Sequence, residues 1–354
     1  MKDNPIFITG VYRSGTTILT GLIGAHRDID IGHPTIQYFR YILKKNIQPT
    51  NYKEIIQSID ERINFRYEIK LDTKRIIDEI ESEIKNSKEV SHKIIYDCVT
   101  RGLHGYSGNR WSEKILLEWK NIPTFLEMYP KGKAIHIIRD PRDVLASYKN
   151  MTYETKEKYL DAIFNCLDSM QHAIKYTEEI SSESYLLVKF EDLVADRAFE
   201  MKKICKFLDI EFNDSDYAEE NLKEGAGEGT VDLTIKTHSA FPSNVDEKSF
   251  KRWDSKLSIE ELTLAEAILH DVINHFQYEL SNNFQENYLR WLLDIFNSNE
   301  LIQERFVNFL KTGEGVESFP SDPTDPKNWS SSTLGQGKEL GKGAANAYKK
   351  LFSS

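Results

Sequence analysis

Residues 5–25 read PIFITGVYRSGTTILTGLIGA, and the order of characters in that stretch decides the fold. Ile6, Phe7 and Ile8 favour a strand. Gly10 and Gly15 permit a tight backbone turn, and Ile18, Leu19, Leu22 and Ile23 recur with the spacing of one buried helical face. A strand, a glycine-bracketed loop and a helix in succession outline a phosphate cradle. The helix N-terminus offers free N–H groups and the positive end of the helix dipole, and Ser14, Thr16 and Thr17 add hydroxyl donors. The spacing G-x-x-x-x-G-T-T matches a nucleotide P-loop except at Thr16, which stands where a lysine would reach the β- and γ-phosphates. Cationic charge comes instead from Arg13, upstream of the second glycine.

A second block, KGKAIHIIRDPRDVLASYKNM, spans residues 131–151. Ala134 to Ile138 form an unbroken apolar run suited to a buried parallel strand, and Asp140 and Pro141 have the chemistry of an N-cap and a first helical position. Arg139 is thereby placed at a strand's carboxyl end, where open α/β sheets bind ligands, and the following helix carries Arg142 and Ser147 toward the same place. The competing expectation is that Arg139 and Arg142 pair with Asp140, Asp143 or other acids. Tyr185 to Val188 read as a third strand, followed by a helix with Met201, Ile204, Cys205 and Leu208 inward.

Between these blocks, isoleucines 55, 56, 59 and 63, and then 76, 80 and 84, recur at helical intervals amid charges and predict two amphipathic helices. Residues 87–112 are less regular and carry His92, Asp97, Arg101 and His104; they read as a loop that lines an acceptor cleft or simply lies on the surface. The polar stretch 213–252 offers Thr237, His238, Ser239, Lys251 and Arg252 as ligand contacts. Ser258 and Glu261 then form a capping-box pattern ahead of a helix with Leu262, Ala265, Leu269, Val272 and Phe276 inward. Further helices are expected around Leu289–Phe296 and Ile302–Leu310, a linker with Pro320, Pro323 and Pro326 over residues 313–337, and a short terminal helix docking on the body or on a partner.

The fold expected is α/β: a P-loop-like three-layer domain over residues 1–280 with a central parallel sheet, a helical insertion at about 41–110, and a C-terminal helical extension over 281–354. A 354-residue chain that is 40% hydrophobic supports a sizeable core. With 46 Lys and Arg against 56 Asp and Glu, the net charge of −10 argues against broad nucleic-acid or anionic-membrane binding. Cys98, Cys166 and Cys205 are odd in number and far apart, which suggests neither a disulfide framework nor a zinc site. The immediate entry into a strand leaves no room for a signal peptide, and no segment has the apolar length of a membrane span, so a cytoplasmic protein is expected.

YRSGTT behind an apolar strand and IIRDPRDVLASY downstream, with WSEK and VKFEDLV between and after, resemble the sulfotransferases that use 3′-phosphoadenosine 5′-phosphosulfate (PAPS). The arginine at position 13 and the AH after the first helix look more like the carbohydrate and tyrosylprotein branches than the cytosolic phenol branch. The resemblance implies that Arg13, Ser14, Gly15, Thr16 and Thr17 hold the 5′-phosphosulfate and that Arg139 and Ser147 hold the 3′-phosphate. It implies that Lys114 neutralises charge near the transferring group, and that Ser239 and Arg252 belong to a late segment folding over the adenosine. Phe190 stands where relatives often carry a tyrosine near the adenine, so it is expected to bind the donor by stacking while lacking the hydroxyl contact. Where the tyrosylprotein branch has paired glutamates after the first helix, this chain reads Gly32, His33, Pro34; His33 is the expected general base, with His104, His92, Asp97 and Glu113 in reserve. No metal is required, because sulfuryl transfer rests on positioning and electrostatic neutralisation of the leaving phosphate. The acceptor is a hydroxyl of a carbohydrate, small molecule, lipid or peptide, with a carbohydrate favoured. The alternatives are a P-loop-type small-molecule kinase and a non-catalytic nucleotide-binding scaffold.

Overall fold

Alternation within β1 (Ile6–Gly10) sets up two cores, one on each side of a sheet. Ile6 and Ile8 point into one, and Phe7 into the other. The computed structural model describes residues 4–32, 38–67, 70–104, 110–149, 158–213, 250–281, 293–294, 297–312 and 315. Its sheet is five-stranded and parallel throughout, in the order β2-β3-β1-β4-β5, with β2 at Ile29–Gly32, β3 at Arg110–Lys114, β4 at Lys133–Ile138 and β5 at Tyr185–Lys189. Strands β1, β4 and β5 follow the apolar runs. Strands β2 and β3 were not anticipated: RWSEK at β3 carries three charges in five residues, yet four of its residues are buried.

The helices form the outer layers. On one face lies α1 (Thr16–Gly24), where Leu19, Leu22 and Ile23 meet Ile6, Ile8, Ile135 and Ile137, together with α9 (Phe190–Ala195) and α10 (Arg197–Leu208). Each buried aliphatic side chain there contributes about 1.5–3 kcal/mol. The other face receives α2 (Tyr38–Tyr41), α3 (Tyr52–Tyr67), α4 (Thr73–Ser87) and α5 (His92–His104), inserted between β2 and β3, and then α6 (Ile122–Met128), α7 (Pro141–Lys149) and α8 (Asp161–Glu179). Helices α3 and α4 bury Ile55, Ile56, Ile59, Ile63, Ile76 and Ile80, as their spacing predicts. The stretch expected to be a loop is largely α5, whose Tyr96 stacks between Tyr38 and the edge of Trp111 on β3.

Helix α11 (Trp253–Lys256) precedes α12 (Ile259–His275), which opens with the expected capping box: Ser258 Oγ accepts from Glu261 N, and the Glu261 side chain accepts from Ser258 N. Helix α13 (Glu300–Thr312) docks on α8, with Ile302 buried, Phe309 6.0 Å from Phe164 between ring centroids and Arg305 paired to Asp161 at 3.2 Å. Just beyond it, Gly315 N donates to Asp168 Oδ2 at 3.0 Å. The rest of the expected linker and the terminal helix lie outside the described residues. No helix among the described residues is long and apolar enough to cross a membrane.

Candidate active site at the carboxyl ends of the strands

Because all five strands run the same way, Gly10, Gly32, Lys114, Ile138 and Lys189 end at one edge of the sheet. The loop after β1 turns back at that edge through two left-handed residues, Arg13 (φ 70°) and Gly15 (φ 98°). The turn is closed by Ser14, whose N–H and Oγ both donate to the Val11 carbonyl, at 3.2 and 2.7 Å. Backbone turned in this way directs successive N–H groups inward as an anion nest at the start of α1. A side chain at Gly10 would meet the Ile137 carbonyl at 2.6 Å, and one at Gly15 would meet Phe190 Cδ2 at 2.4 Å, so both glycines are required by close approach. Arg13, by contrast, is a non-glycine residue at positive φ, a conformation of the kind found strained at ligand clamps.

The side chains expected in the cradle divide into two groups. Ser14 and Thr16 are buried, and the Ser14 hydroxyl is committed to the turn. Arg13 and Thr17 are exposed on the ligand side, and Thr17 Oγ1 accepts from Lys114 Nζ at 3.2 Å across β3. Desolvation at this half-buried position lowers the Lys114 pKa to about 8.

The second block joins the first directly. Arg13 Nε donates to Ser147 Oγ at 2.9 Å, although 134 residues separate them, and Arg139 Nη1 donates to the Arg13 carbonyl at 3.1 Å. Burial lowers the Arg139 pKa from the ordinary guanidinium value; Asp143 and Glu191 act against that, and the nearby charge of Arg252 adds to it. The proximity of Arg252 has a visible cause. Asp143 accepts from Lys251 N at 3.1 Å and Trp253 N at 3.2 Å, pinning residues 251–253 beside α7. Asp143, which also lies 3.8 Å from Arg139, is thus a positioning residue as well as the ion-pair partner that the competing expectation named. Its only signal was an acid one helical turn after Arg139.

Three expectations are corrected. Arg142 does not reach the ligand edge: it is buried in a network with Asp140, at 2.7 and 3.0 Å, and Glu266, at 2.6 Å, with its guanidinium 4.2 Å from the Trp253 ring centroid. Phe190 is not an open adenine platform. Its ring is 2% exposed, with Gly15 against one edge and the Arg139 guanidinium 4.4 Å from its centroid, so it supports the loop from beneath. His92 and Asp97 are tied into the insertion, His92 Nδ1 to the Tyr38 hydroxyl at 2.9 Å and Asp97 to the Tyr129 hydroxyl at 2.8 Å and Lys93 at 2.9 Å. His33, Ser239 and the side chain of His104 lie outside the described residues. Glu113 is buried at the carboxyl end of β3. A depression of about 560 Å³ lined by Asn4, Lys133, Ser184 and Asp209 lies at the opposite edge, where the strands begin, and takes no part in this site.

The site is thus a cationic, hydroxyl-bearing cradle on a P-loop-like sheet, with no lysine at the position that grips a γ-phosphate. The sulfotransferase family profile matches residues 5–214, and the chain belongs to that family of sulfuryl-transferring enzymes. It is 24% identical over 263 residues to protein-tyrosine sulfotransferase 1 of Danio rerio, covering 73% of this chain and 68% of that protein. It is 26% identical over 214 residues to the protein-tyrosine sulfotransferase of Drosophila melanogaster, covering 59% of this chain and 39% of that one. The sulfotransferase domain of the Synechococcus PCC 7002 olefin synthase has a similar fold, with a TM-score of 0.52 and 18% identity over 78% of this chain and 97% of that domain.

Proposed function

We propose that this enzyme transfers the sulfuryl group of PAPS to the phenolic hydroxyl of a tyrosine in a protein or peptide. The observation that carries the reading is the direct join between two anion grips, Arg13 to Ser147 and Arg139 to the Arg13 carbonyl. A donor with phosphates at both its 5′ and 3′ ends suits that pair. Arg13, Thr17, Lys114 and the N–H groups opening α1 would hold the 5′ end, and Arg139, Ser147 and Arg252 the 3′-phosphate. PAPS supplies an activated sulfuryl group with a phosphate as its leaving group. The residues of this chain do electrostatic work: Arg13 and Lys114 face charge that grows on the leaving phosphate, while the loop fixes its direction of departure.

The relatives named protein-tyrosine sulfotransferases favour a tyrosyl hydroxyl over the carbohydrate hydroxyl first expected. Three buried free cysteines support a reducing, cytoplasmic setting, which cell fractionation tests. The activity is tested by incubating the full chain with labelled PAPS and a panel of tyrosine peptides, glycans, phenols and lipids. Label on tyrosine is the expected result, and label on glycan alone overturns the acceptor. A melting temperature raised by ATP and magnesium but not by 3′-phosphoadenosine 5′-phosphate (PAP) overturns the donor.

A further inference from the structure

Glu113 is the exception among the described buried acids at this end of the molecule. Glu118 pairs with Arg40, Asp140 and Glu266 with Arg142, Asp143 accepts two backbone N–H groups, and Glu191 accepts from Asp140 N and the Tyr278 hydroxyl. Glu113 is 2% exposed, and neither of its carboxyl oxygens has a hydrogen-bond partner among the described residues. A carboxyl group held in that condition is costly unless it is neutral or a partner arrives. Nothing among the described residues packed on it uses its carboxyl group: its partner in register on β1 is Phe7, and Trp111 shares its face of β3 two residues back. On the other side it is in register with Gly32 of β2, which brings no side chain against it.

Its location, in contrast, has a use. Glu113 is the last but one residue of β3, next to the strand's final residue Lys114, whose ammonium group sits on Thr17 at the mouth of the anion nest. The two side chains leave the strand on opposite faces at the edge where the donor and acceptor must meet.

We propose that Glu113 is the general base of the reaction, the group that takes the proton from the acceptor hydroxyl. The role rests on the PAPS-dependent reading above. In the step, the acceptor O–H bond breaks and its proton passes to a Glu113 oxygen. The acceptor oxygen forms its bond to sulfur as the bond from sulfur to the bridging oxygen of the 5′-phosphate breaks, and that electron pair leaves with PAP. Burial also raises the Glu113 pKa to about 8, which makes its carboxylate a stronger base than an exposed one. The unpaired oxygens are thereby accounted for, since the acceptor hydroxyl is the partner they lack.

The test uses the full chain with PAPS and a sulfatable tyrosine peptide, comparing wild type with Glu113→Gln and His33→Ala. Glu113→Gln is expected to lower kcat by roughly 10²–10⁴-fold, to leave PAP affinity by calorimetry within twofold, and to remove the ascending limb of the wild-type pH–rate profile. Its melting temperature is expected to equal or exceed that of wild type, because a neutral amide replaces an unpaired acid. A variant that turns over within twofold of wild type overturns the proposal, as does a slow variant that keeps the ascending limb. Loss of that limb in His33→Ala, with Glu113→Gln retaining it, assigns the base to His33 instead. A wild-type chain that binds PAP yet sulfates no acceptor overturns the parent reading and this one with it.

Discussion

Raising the pH from 7 to 9 should weaken PAP binding about tenfold through one side chain, Lys114. Its ammonium group is half-buried against Thr17, and desolvation holds its pKa at about 8 rather than 10.5. That depression corresponds to at most about 3.4 kcal/mol, and the partial access of water reduces it. A bound 5′-phosphate restores the charge that burial disfavours, so binding takes up a proton above pH 8. The apparent Kd then scales as one plus the ratio of neutral to charged lysine, from about 1.1 at pH 7 to about 11 at pH 9. PAP's own phosphates are fully ionised over most of this range, with a second pKa near 6. In the free protein the sign is opposite: the native state binds fewer protons than the unfolded chain between pH 8 and 10.5, so stability attributable to this group rises with pH across that window. Calorimetry at pH 7, 8 and 9, in pairs of buffers with different ionisation enthalpies, measures both the Kd and the proton count. Lys114→Met should bind more weakly and with a flat profile. A wild-type Kd constant from pH 7 to 9, with no proton uptake, would refute the reasoning.

The other expectations concern the loop and its support. Arg13→Gly should lower turnover roughly 10²–10³-fold, as for loss of one transition-state donor, while stability by urea denaturation stays within about 1 kcal/mol because glycine relieves the left-handed backbone at position 13. Gly15→Ala forces a side chain into positive φ and against Phe190; a loss of roughly 2–4 kcal/mol is expected, read as a lower urea midpoint at unchanged m. Arg142→Ala strands Asp140 and Glu266 in the interior and should cost roughly 3–5 kcal/mol, so a melting temperature equal to wild type would contradict the structural role given to that network.

Legibility in the sequence followed local physics. The loop after β1, the apolar strands and the isoleucine faces of α3 and α4 are written in spacings of a few residues, and the structure places them at the expected positions. Strand β3 escaped notice because its sequence, RWSEK, is polar in every way that a window of five residues can register. It is a strand because Arg110 is buried among the carbonyls of Asn4 and Leu208 at one end and Trp111 packs against Tyr96 and Tyr129 in the middle. Strand β2 was hidden by its brevity, four residues ending in the glycine of a Gly-His-Pro sequence.

By itself the sequence determined that a strand feeds an anion-binding loop without a P-loop lysine, and that a second cationic block follows a buried strand. These are consequences of glycine geometry, helix dipoles and hydrophobic period, all of them short-range. Only the tertiary structure decided which cations serve the site. Arg139 and Arg142 are three residues apart in one motif, yet one reaches the Arg13 carbonyl and the other is buried between Asp140 and Glu266. It alone brought Arg13 to Ser147 and left Glu113 without a hydrogen-bond partner among the described residues. The physical reason is that a hydrogen bond or its absence depends on which groups the folded sheet brings within about 3 Å, and those partners lie in segments that local sequence does not connect.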